Sequence, residues 1–258
     1  MTSSNRFARY PSLEDRVVFI TGGGSGIGAV MVEEFARQGS RVGFLDRAVE
    51  ASRALAARLQ ESVKHAPHFL ECDLTDIAGL QRAFRELASA LGAAQVLVNN
   101  AANDDRHRWE DVTPAYWDER MAVNLRHQFF AIQAVAPGMK AARSGSIINM
   151  SSISWMIPAT NMPVYVTAKS AVIGLTRTMA RELGPDNIRV NSLVPGAIVT
   201  ERQTRLWRTP EYERIIIDSQ CLKRAIQADE VARMALFLAA DDSSAVTEQA
   251  YIVDGGWV

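Results

Sequence analysis

The sequence predicts an α/β domain built on a doubly wound parallel sheet with helices on both faces. Short β-branched segments alternate with longer amphipathic ones, which is the pattern of repeated βαβ units. The predicted strands are almost continuously apolar, so both faces of the sheet should be buried under helices. The 258 residues contain no linker, repeat or low-complexity segment near the middle, so residues 1–258 are expected to form one domain.

The predicted elements follow one another in regular order. Strands are expected at "RVVFIT", "RVGFLD", "HFLECD", "QVLVNNA", "GSIINMSS" and "IRVNSLVP". Helices are expected at "MVEEFARQG", "ALAARLQESV", "LQRAFRELASAL", the long stretch "YWDERMAVNLRHQFFAIQAVA" and around Tyr165. The stretch "AIVTERQTRLWRTPEYERIII" is interpreted as an insertion over the edge of the sheet where a site would lie, which gives a substrate-loop region around 197–220.

Composition and charge favour a small-molecule partner. The net charge is −1 and no run of like charges occurs, so neither nucleic acid nor an anionic membrane is expected as a partner. Cys72 and Cys221 favour a reduced chain, although the sequence leaves a disulfide between them open, and no metal site is expected. The polar start "MTSSNRFARYPSLEDR" and the lack of a membrane-length apolar run predict a soluble cytoplasmic protein.

A glycine-rich segment, "TGGGSGIG", joins the first predicted strand to the first helix. Glycines at this position let the backbone turn tightly and approach a diphosphate, which the positive end of the helix favours. An ordinary glycine-rich loop is the alternative, but the place between strand and helix favours a Rossmann-like dinucleotide site. The predicted cofactor-binding residues here are Gly22, Ser25, Gly26, Ile27 and Gly28.

Asp46 closes the second strand, eighteen residues after Gly28. A carboxylate there can accept hydrogen bonds from the adenosine ribose hydroxyls and repel a 2′-phosphate, which favours NAD over NADP. Arg47 is also predicted to touch the cofactor, either pairing with a phosphate or lying in solvent at the start of a helix. Asp73, with Leu74 beside it, is predicted to meet the adenine, and a helix N-cap at Asp73 or Thr75 is the alternative.

Tyr165 and Lys169 are four residues apart and therefore lie on one face of a helix. An ammonium near a phenol favours the phenolate and lowers the pKa of tyrosine from about 10, which makes a base usable near neutral pH. A core tyrosine and a surface lysine are the alternative for an isolated pair. Ser152 lies thirteen residues before Tyr165, just after the fifth strand, where its hydroxyl can hydrogen-bond a substrate oxygen.

Taken together, these segments resemble the short-chain dehydrogenase/reductase family. The resemblance covers residues 14–258 and is carried by "TGGGSGIG", "NNAA", "MAVNL", Ser152, "YVTAK" and "NSLVPGAIVT". It implies that Tyr165 is the acid/base, that Lys169 lowers its pKa and binds the nicotinamide ribose, and that Ser152 orients the reacting oxygen. It further implies that Asn124 holds a proton-relay water and that the chain forms a homotetramer.

The same resemblance implies further cofactor contacts. These are expected from Asn100, Ala101, Tyr165, Lys169, Pro195, Gly196, Ile198 and Thr200. Ala102 departs from the usual NNAG and adds a methyl group beside the adenosine, a small steric cost. Ser151 precedes Ser152, so spacing rather than residue type assigns the catalytic serine.

A narrower set of segments resembles the NAD-dependent aldose 1-dehydrogenases, including the D-xylose and L-arabinose enzymes. It comprises "NDDRH", "YWDER", "NLRH", "QAVAPGMK", "SISW" and "DGGWV". The resemblance implies oxidation of a cyclic sugar to its lactone, with Tyr165 removing the anomeric proton while C1 passes hydride to NAD. The candidate substrate-binding residues are Asn103, Ser152, Ser154, Trp155, Asn161 and Tyr165, for several of which a loop cap or core packing is the alternative role.

Other functions stay open at the level of sequence. One is dehydrogenation of a polyol or another secondary alcohol, and another is NADPH-dependent reduction of a 3-oxoacyl thioester, which Asp46 disfavours. A binding or regulatory protein without turnover is a third, which the complete set Asn124, Ser152, Tyr165 and Lys169 disfavours. His107 and His127 are interpreted as surface or helix-packing residues, because the tyrosine already serves as the base.

Overall fold

Seven parallel strands form the central sheet of the computed structural model, which describes residues 7–258. The sheet has the order β3-β2-β1-β4-β5-β6-β9, and a short parallel pair, β7-β8, lies apart from it. The strands are β1 Val17–Thr21, β2 Arg41–Asp46, β3 His68–Glu71, β4 Val96–Asn99, β5 Gly145–Met150, β6 Ile188–Pro195, β7 Ile198–Val199, β8 Ile226–Gln227 and β9 Ala250–Val253. The first six residues of the polar start, on which the expectation of no targeting segment partly rests, lie outside the described residues.

Helices cover both faces of the sheet, which confirms the predicted fold class. They are α1 Gly26–Arg37, α2 Val49–Leu59, α3 Ile77–Leu91, α4 Pro114–Met121, α5 His127–Ala142, α6 Pro163–Leu183, α7 Glu201–Leu206, α8 Pro210–Ser219 and α9 Ala228–Ala239. Alternate residues of β1 enter two separate cores: Val18 and Ile20 pack with α1 and α9, whereas Val17 and Phe19 pack with α3 and α5. Burial on both faces explains why the strand sequences are continuously apolar.

The strand order reverses beside β1, which pairs with β2 on one side and with β4 on the other. Thr21, the last residue of β1, lies opposite Leu45 in one neighbour and Asn99 in the other. Open α/β sheets bind ligands in the crevice outside the carboxyl ends of their strands at such a reversal. The fold therefore creates its crevice next to the predicted glycine loop.

The prediction of one long helix over residues 116–136 is wrong in one respect. It is two α-helices, α4 and α5, separated by one turn of π-helix over Ala122–Arg126. Thr113 caps α4 by accepting a hydrogen bond from the Tyr116 N–H at 3.2 Å. A π turn inserts one extra residue into the helical ladder, and here it contains Asn124, which is fully buried.

Several properties of the described part of the chain bear on the sequence expectations. Within residues 7–258, no helix is both long enough and apolar enough to cross a membrane. Cys72 is buried, Cys221 is exposed, and both are free thiols. In the same residues, no group of three or more His, Cys, Asp or Glu side chains could hold a metal ion.

Candidate active site

Four elements bring the predicted catalytic residues to the carboxyl edge of the sheet. Tyr165 and Lys169 lie in the first two turns of α6, which begins at Pro163, a residue suited to the first helical position because it needs no N–H partner there. Ser152 follows β5 and caps a short 3₁₀ turn by accepting a hydrogen bond from the Ser154 N–H at 3.1 Å. Asn124 comes from the π turn.

Lys169 is almost fully buried, with 1% of its surface exposed. Its Nζ donates a hydrogen bond to the carbonyl oxygen of Met150 at 2.8 Å and lies 5.6 Å from the centroid of the Tyr165 ring. Burial lowers the pKa of Lys169 to about 7, and the negative charge of Asp104 opposes that shift. The side chain therefore exists in both protonation states near neutral pH.

Tyr165 differs from the sequence expectation. Burial raises its pKa above the ordinary value, and Asp104 raises it further, whereas a hydrogen bond from Ser152 and the charge of Arg106 lower it. In this structure Tyr165 is a neutral phenol, because the desolvation of its hydroxyl outweighs the groups that favour a phenolate. The prediction that Lys169 makes the pKa of Tyr165 fall below 10 is not met here.

The side-chain amide of Asn124 fixes the segment that follows β4. Its Oδ1 accepts from the Asn103 N–H at 2.8 Å, and its Nδ2 donates to the Asn103 carbonyl at 3.0 Å and to the Arg120 carbonyl at 2.9 Å. The backbone carbonyl of Asn124 accepts a hydrogen bond from Gln128 Nε2 at 3.3 Å. The amide thus serves backbone groups, and it holds Asn103 beside the catalytic candidates.

The glycine loop has the backbone that a diphosphate site requires. Gly22 has φ +68° and Gly26 has φ +56°, both in the left-handed region that favours glycine. A Cβ at Gly28 would overlap the carbonyl oxygen of Gly22, so α1 packs against the loop as closely as only glycine allows. Asn100 fastens the loop from the β4 side, donating from Nδ2 to the Gly22 carbonyl at 2.9 Å.

The α1 N-terminus opens onto this loop. Ser25 is its N-cap residue, and Gly26, Ile27 and Gly28 form its first turn. The N–H groups of a first turn have no partner within their own helix and attract anions. The residues present therefore fit a dinucleotide diphosphate.

Asp46 lies at the end of β2 and points at the glycine loop. Its two carboxylate oxygens accept backbone hydrogen bonds at 2.8 Å, one from Gly24 and the other from Ala48. A carboxylate has about four acceptor positions, so both oxygens can also accept from ribose hydroxyls. Arg47, the next residue, is exposed.

Asp73 lies just beyond the end of the neighbouring strand β3, whose last residue is Glu71. Its Oδ1 accepts from the N–H and the hydroxyl of Thr75, at 2.9 and 2.8 Å, and these bonds, with the charge of Arg47 nearby, lower the pKa of Asp73. The N-cap of α3 is Asp76 rather than Asp73 or Thr75. Leu74, beside Asp73, is buried.

The segment from Pro195 to Thr200 forms the opposite wall of the crevice. A Cβ at Gly26 would lie 3.6 Å from Thr200 Cγ2, so the end of this segment reaches the glycine loop. Gly196 has space for no side chain, because a Cβ there would lie 2.6 Å from Asp254 Cβ. Ile198 is buried, and Thr200 caps α7.

The predicted substrate residues divide into two groups. Asn103 and Ser154 lie beside the catalytic candidates, and the hydroxyl of Ser154 is buried without a hydrogen-bond partner among residues 7–258. Trp155 is 37% exposed, and Asn161 lines a groove with Trp109 and Thr167, a residue on the exposed side of α6. A role of Asn161 in binding the substrate stays a prediction.

His107 and His127 occupy packing positions. His107 Nδ1 lies 3.0 Å from the Tyr116 hydroxyl, and His107 Nε2 accepts from the Val164 N–H at 3.4 Å. His127 is fully buried, and this burial, together with the charge of Lys169, lowers its pKa to about 3. His127 is therefore neutral at physiological pH.

Sequence reasoning missed a charged group at the mouth of the site. Asp104 interacts electrostatically with both Tyr165 and Lys169. Its carboxylate accepts hydrogen bonds from Gln203 Nε2 and from Arg202 Nε on α7. The only signal for it in the sequence is a pair of neighbouring carboxylates, Asp104 and Asp105, in the connection that follows β4, within the quoted "NDDRH".

Comparison with known proteins agrees with this geometry. The family model described as Enoyl-(Acyl carrier protein) reductase matches residues 22–258. The chain also aligns along almost its whole length with dehydrogenases that are more than half identical to it. It belongs to the short-chain dehydrogenase/reductase family.

Two of the similar proteins are sugar dehydrogenases. The probable galactose dehydrogenase GalD of Rhizobium meliloti is 52% identical over 249 residues, which is 96% of this chain and 97% of that protein. The D-xylose 1-dehydrogenase of Caulobacter vibrioides is 52% identical over 250 residues, 97% and 98% of the two chains. A gluconate 5-dehydrogenase from Burkholderia cenocepacia, solved with NADP and tartrate, superposes with a TM-score of 0.89 at 31% identity, covering 96% of this chain and 97% of that one.

The glycine packing gives a first testable expectation. Gly28→Ala should lower the free energy of unfolding by about 1–3 kcal/mol, because the new methyl group must push α1 away from the loop. The displaced loop should also weaken NADH binding about tenfold or more, a loss of about 1.4 kcal/mol. Chemical denaturation and NADH fluorescence titration measure the two effects.

The matched control is Gly174→Ala, in the middle of α6, where a Cβ would meet nothing within 4 Å. Alanine is the better helix former there, so stability should stay equal or rise by up to about 1 kcal/mol, and NADH binding should not change. A Gly28→Ala protein that matches the wild type in both measurements would contradict the close packing described above.

Proposed function

We propose that this protein is an NAD-dependent aldose 1-dehydrogenase that oxidises the anomeric carbon of a cyclic pentose or hexose to the aldonolactone. The observation that carries the proposal is the grouping of Tyr165, Ser152 and buried Lys169 at the carboxyl edge, beside a glycine loop suited to a dinucleotide. The two sugar dehydrogenases that are 52% identical to the chain support a sugar as substrate.

Each residue has a proposed part in the reaction. Tyr165, whose phenol is neutral in this structure, first gives its own proton to the neutral form of Lys169, and as the phenolate it then takes the proton of the C1 hydroxyl. Ser152, which is hydrogen-bonded to Tyr165, orients the same oxygen. Lys169, with a pKa of about 7, exchanges a proton near neutral pH and can pass on the one that Tyr165 receives. NAD, when bound, accepts the hydride from C1. Asn124 positions Asn103 and the substrate side of the pocket through its amide.

The cofactor would be held along the crevice between the glycine loop and the Pro195–Thr200 segment. The first turn of α1 would receive the diphosphate, and Asp46 the adenosine ribose. Asp73, Leu74, Asn100 and Ala101 would surround the adenosine, and the family relation supports Lys169 and Ile198 as contacts on the nicotinamide side. Because a solved relative binds NADP, the choice of NAD rests on Asp46.

Two further properties belong to the proposal. A cytoplasmic location fits an NAD-linked enzyme with two free cysteines. A homotetramer is supported by the family relation and by Phe129, an aromatic side chain on α5 that is 43% exposed in the single chain.

The substrate proposal is tested by initial rates of NADH formation with pentoses, 6-deoxyhexoses, hexoses and straight polyols. NADPH-driven reduction of a 3-oxoacyl thioester is measured in parallel, because the sequence leaves that reaction open as an alternative. We expect rapid turnover of at least one aldose and none of the polyols. Activity confined to a polyol or the thioester would remove the aldose assignment and keep the family.

Tyr165→Phe tests the acid/base assignment. The variant should lower kcat by about 10²- to 10⁴-fold, the usual contribution of a positioned proton-transfer group, and leave NADH binding largely unchanged. Stopped-flow turnover and NADH titration separate the two quantities. Retained turnover would show that another group takes the proton.

Asp46→Ala tests cofactor selection. The ratio of kcat/KM for NAD to that for NADP should fall about tenfold or more, because a hydrogen bond to a charged group contributes about 1.5–3 kcal/mol. Arg47→Ala is the paired variant, and it should raise the ratio if the guanidinium assists a 2′-phosphate. An unchanged ratio in Asp46→Ala would assign the selection to other residues.

A further inference from the structure

The segment directly after β4 connects the catalytic candidates to α7. Asn103 is held by the amide of Asn124 through two hydrogen bonds to its backbone. The next residue, Asp104, has a side chain that is 17% exposed. It is held from the other side by α7, where Gln203 Nε2 donates to Oδ2 and Arg202 Nε lies 3.4 Å from Oδ1. The carboxylate is thus fixed at the mouth of the site.

Among residues 7–258, the ion-pair partner of Asp104 is Arg202, which Asp104 shares with a second carboxylate. Arg202 also pairs with Asp105, which accepts from Arg120 as well, at 3.1 Å. Because the contact between Arg202 Nε and Asp104 Oδ1 is long, at 3.4 Å, the guanidinium neutralises the negative charge of Asp104 only in part. Burial is the main cause of the shifted pKa values of Tyr165 and Lys169, and Asp104 comes next, raising both. Its field therefore reaches the reacting groups.

A carboxylate in this position discriminates between ligands by charge. Each of its oxygens accepts one hydrogen bond from α7 and has a further acceptor position free for a donor. Sugar hydroxyls are such donors, whereas a ligand carboxylate brings a second negative charge into a partly buried site, where repulsion is weakly screened.

We propose that Asp104 is a specificity-determining residue, which accepts hydrogen bonds from the hydroxyls of a neutral sugar and excludes sugar acids and other anions. The proposal rests on the proposed sugar dehydrogenase function, and it deepens that function by assigning the neutral class of substrate to one side chain.

The test compares the affinities of two probes for the NADH-loaded protein by titration calorimetry. Xylitol and xylonate differ mainly in that a carboxylate replaces one terminal hydroxymethyl group. The wild type should bind xylitol about tenfold or more tightly than xylonate. Asp104→Asn should bring the two affinities to within about threefold of each other, weakening xylitol and strengthening xylonate, since the substitution keeps the shape of the side chain, removes its charge and turns one acceptor oxygen into an N–H donor.

Two variants control for structure and for overall charge. Asp111→Asn removes one negative charge from an exposed residue in the same β4–α4 connection and should retain the wild-type ratio. Asp104→Glu keeps the charge and should retain the preference for xylitol, which provides a second measurement if Asp104→Asn folds poorly. The proposal would be overturned if Asp104→Asn kept the wild-type ratio of xylitol to xylonate affinity, or if Asp104→Glu lost the preference for xylitol. It would also be overturned if Asp111→Asn changed that ratio as much as Asp104→Asn does. Because titration needs no turnover, failure of the aldose assay and failure of this assignment are distinguishable.

Discussion

The common direction of the seven strands is the constraint on which the site depends. Because all of them run parallel, their carboxyl ends share one edge, and every chain segment leaving a strand starts there. Buried side-chain amides connect the elements next to this edge. Asn99 Nδ2 donates to Asn149 Oδ1 at 2.9 Å, and Asn149 Nδ2 donates to Thr176 Oγ1 at 3.1 Å. These bonds join β4, β5 and α6, so the segments with Asn103, Ser152 and Tyr165 start from a fixed base.

Sequence alone predicted those features that depend on local patterns. Continuous apolar strands required burial on both faces, which determined the α/β class, and "TGGGSGIG" predicted a loop whose Gly22 and Gly26 indeed have positive φ. The four-residue spacing of Tyr165 and Lys169 placed both on one side of α6, with Nζ 5.6 Å from the ring centroid. In each case the relevant physics acts between neighbours in the chain or along one helix.

The sequence did not predict features that depend on contacts between segments far apart in the chain. The effect of burial on Tyr165 requires knowledge of which groups surround the hydroxyl, and Asp104 is one of them from a different loop. The contact of Asp104 with Gln203 joins residues 99 positions apart. Asn161 was predicted as a hydrogen-bonding residue for a sugar, and only the structure shows that it lies in the turn before α6, with φ +60°, and lines the groove with Trp109.

The π turn between α4 and α5 fixes the rotational phase of the second helix. An α-helix advances by 3.6 residues per turn, so one residue more or less turns everything downstream by about 100°. The extra residue in Ala122–Arg126 allows Asn124 to face Asn103 while α5 turns Ala131, Val135 and Met139 into the core beside α3. A relative lacking that residue would have to give up either the amide contact or the packing of α5. Insertions and deletions in related sequences are therefore expected to be rarer within Ala122–Arg126 than at other positions of similar surface exposure.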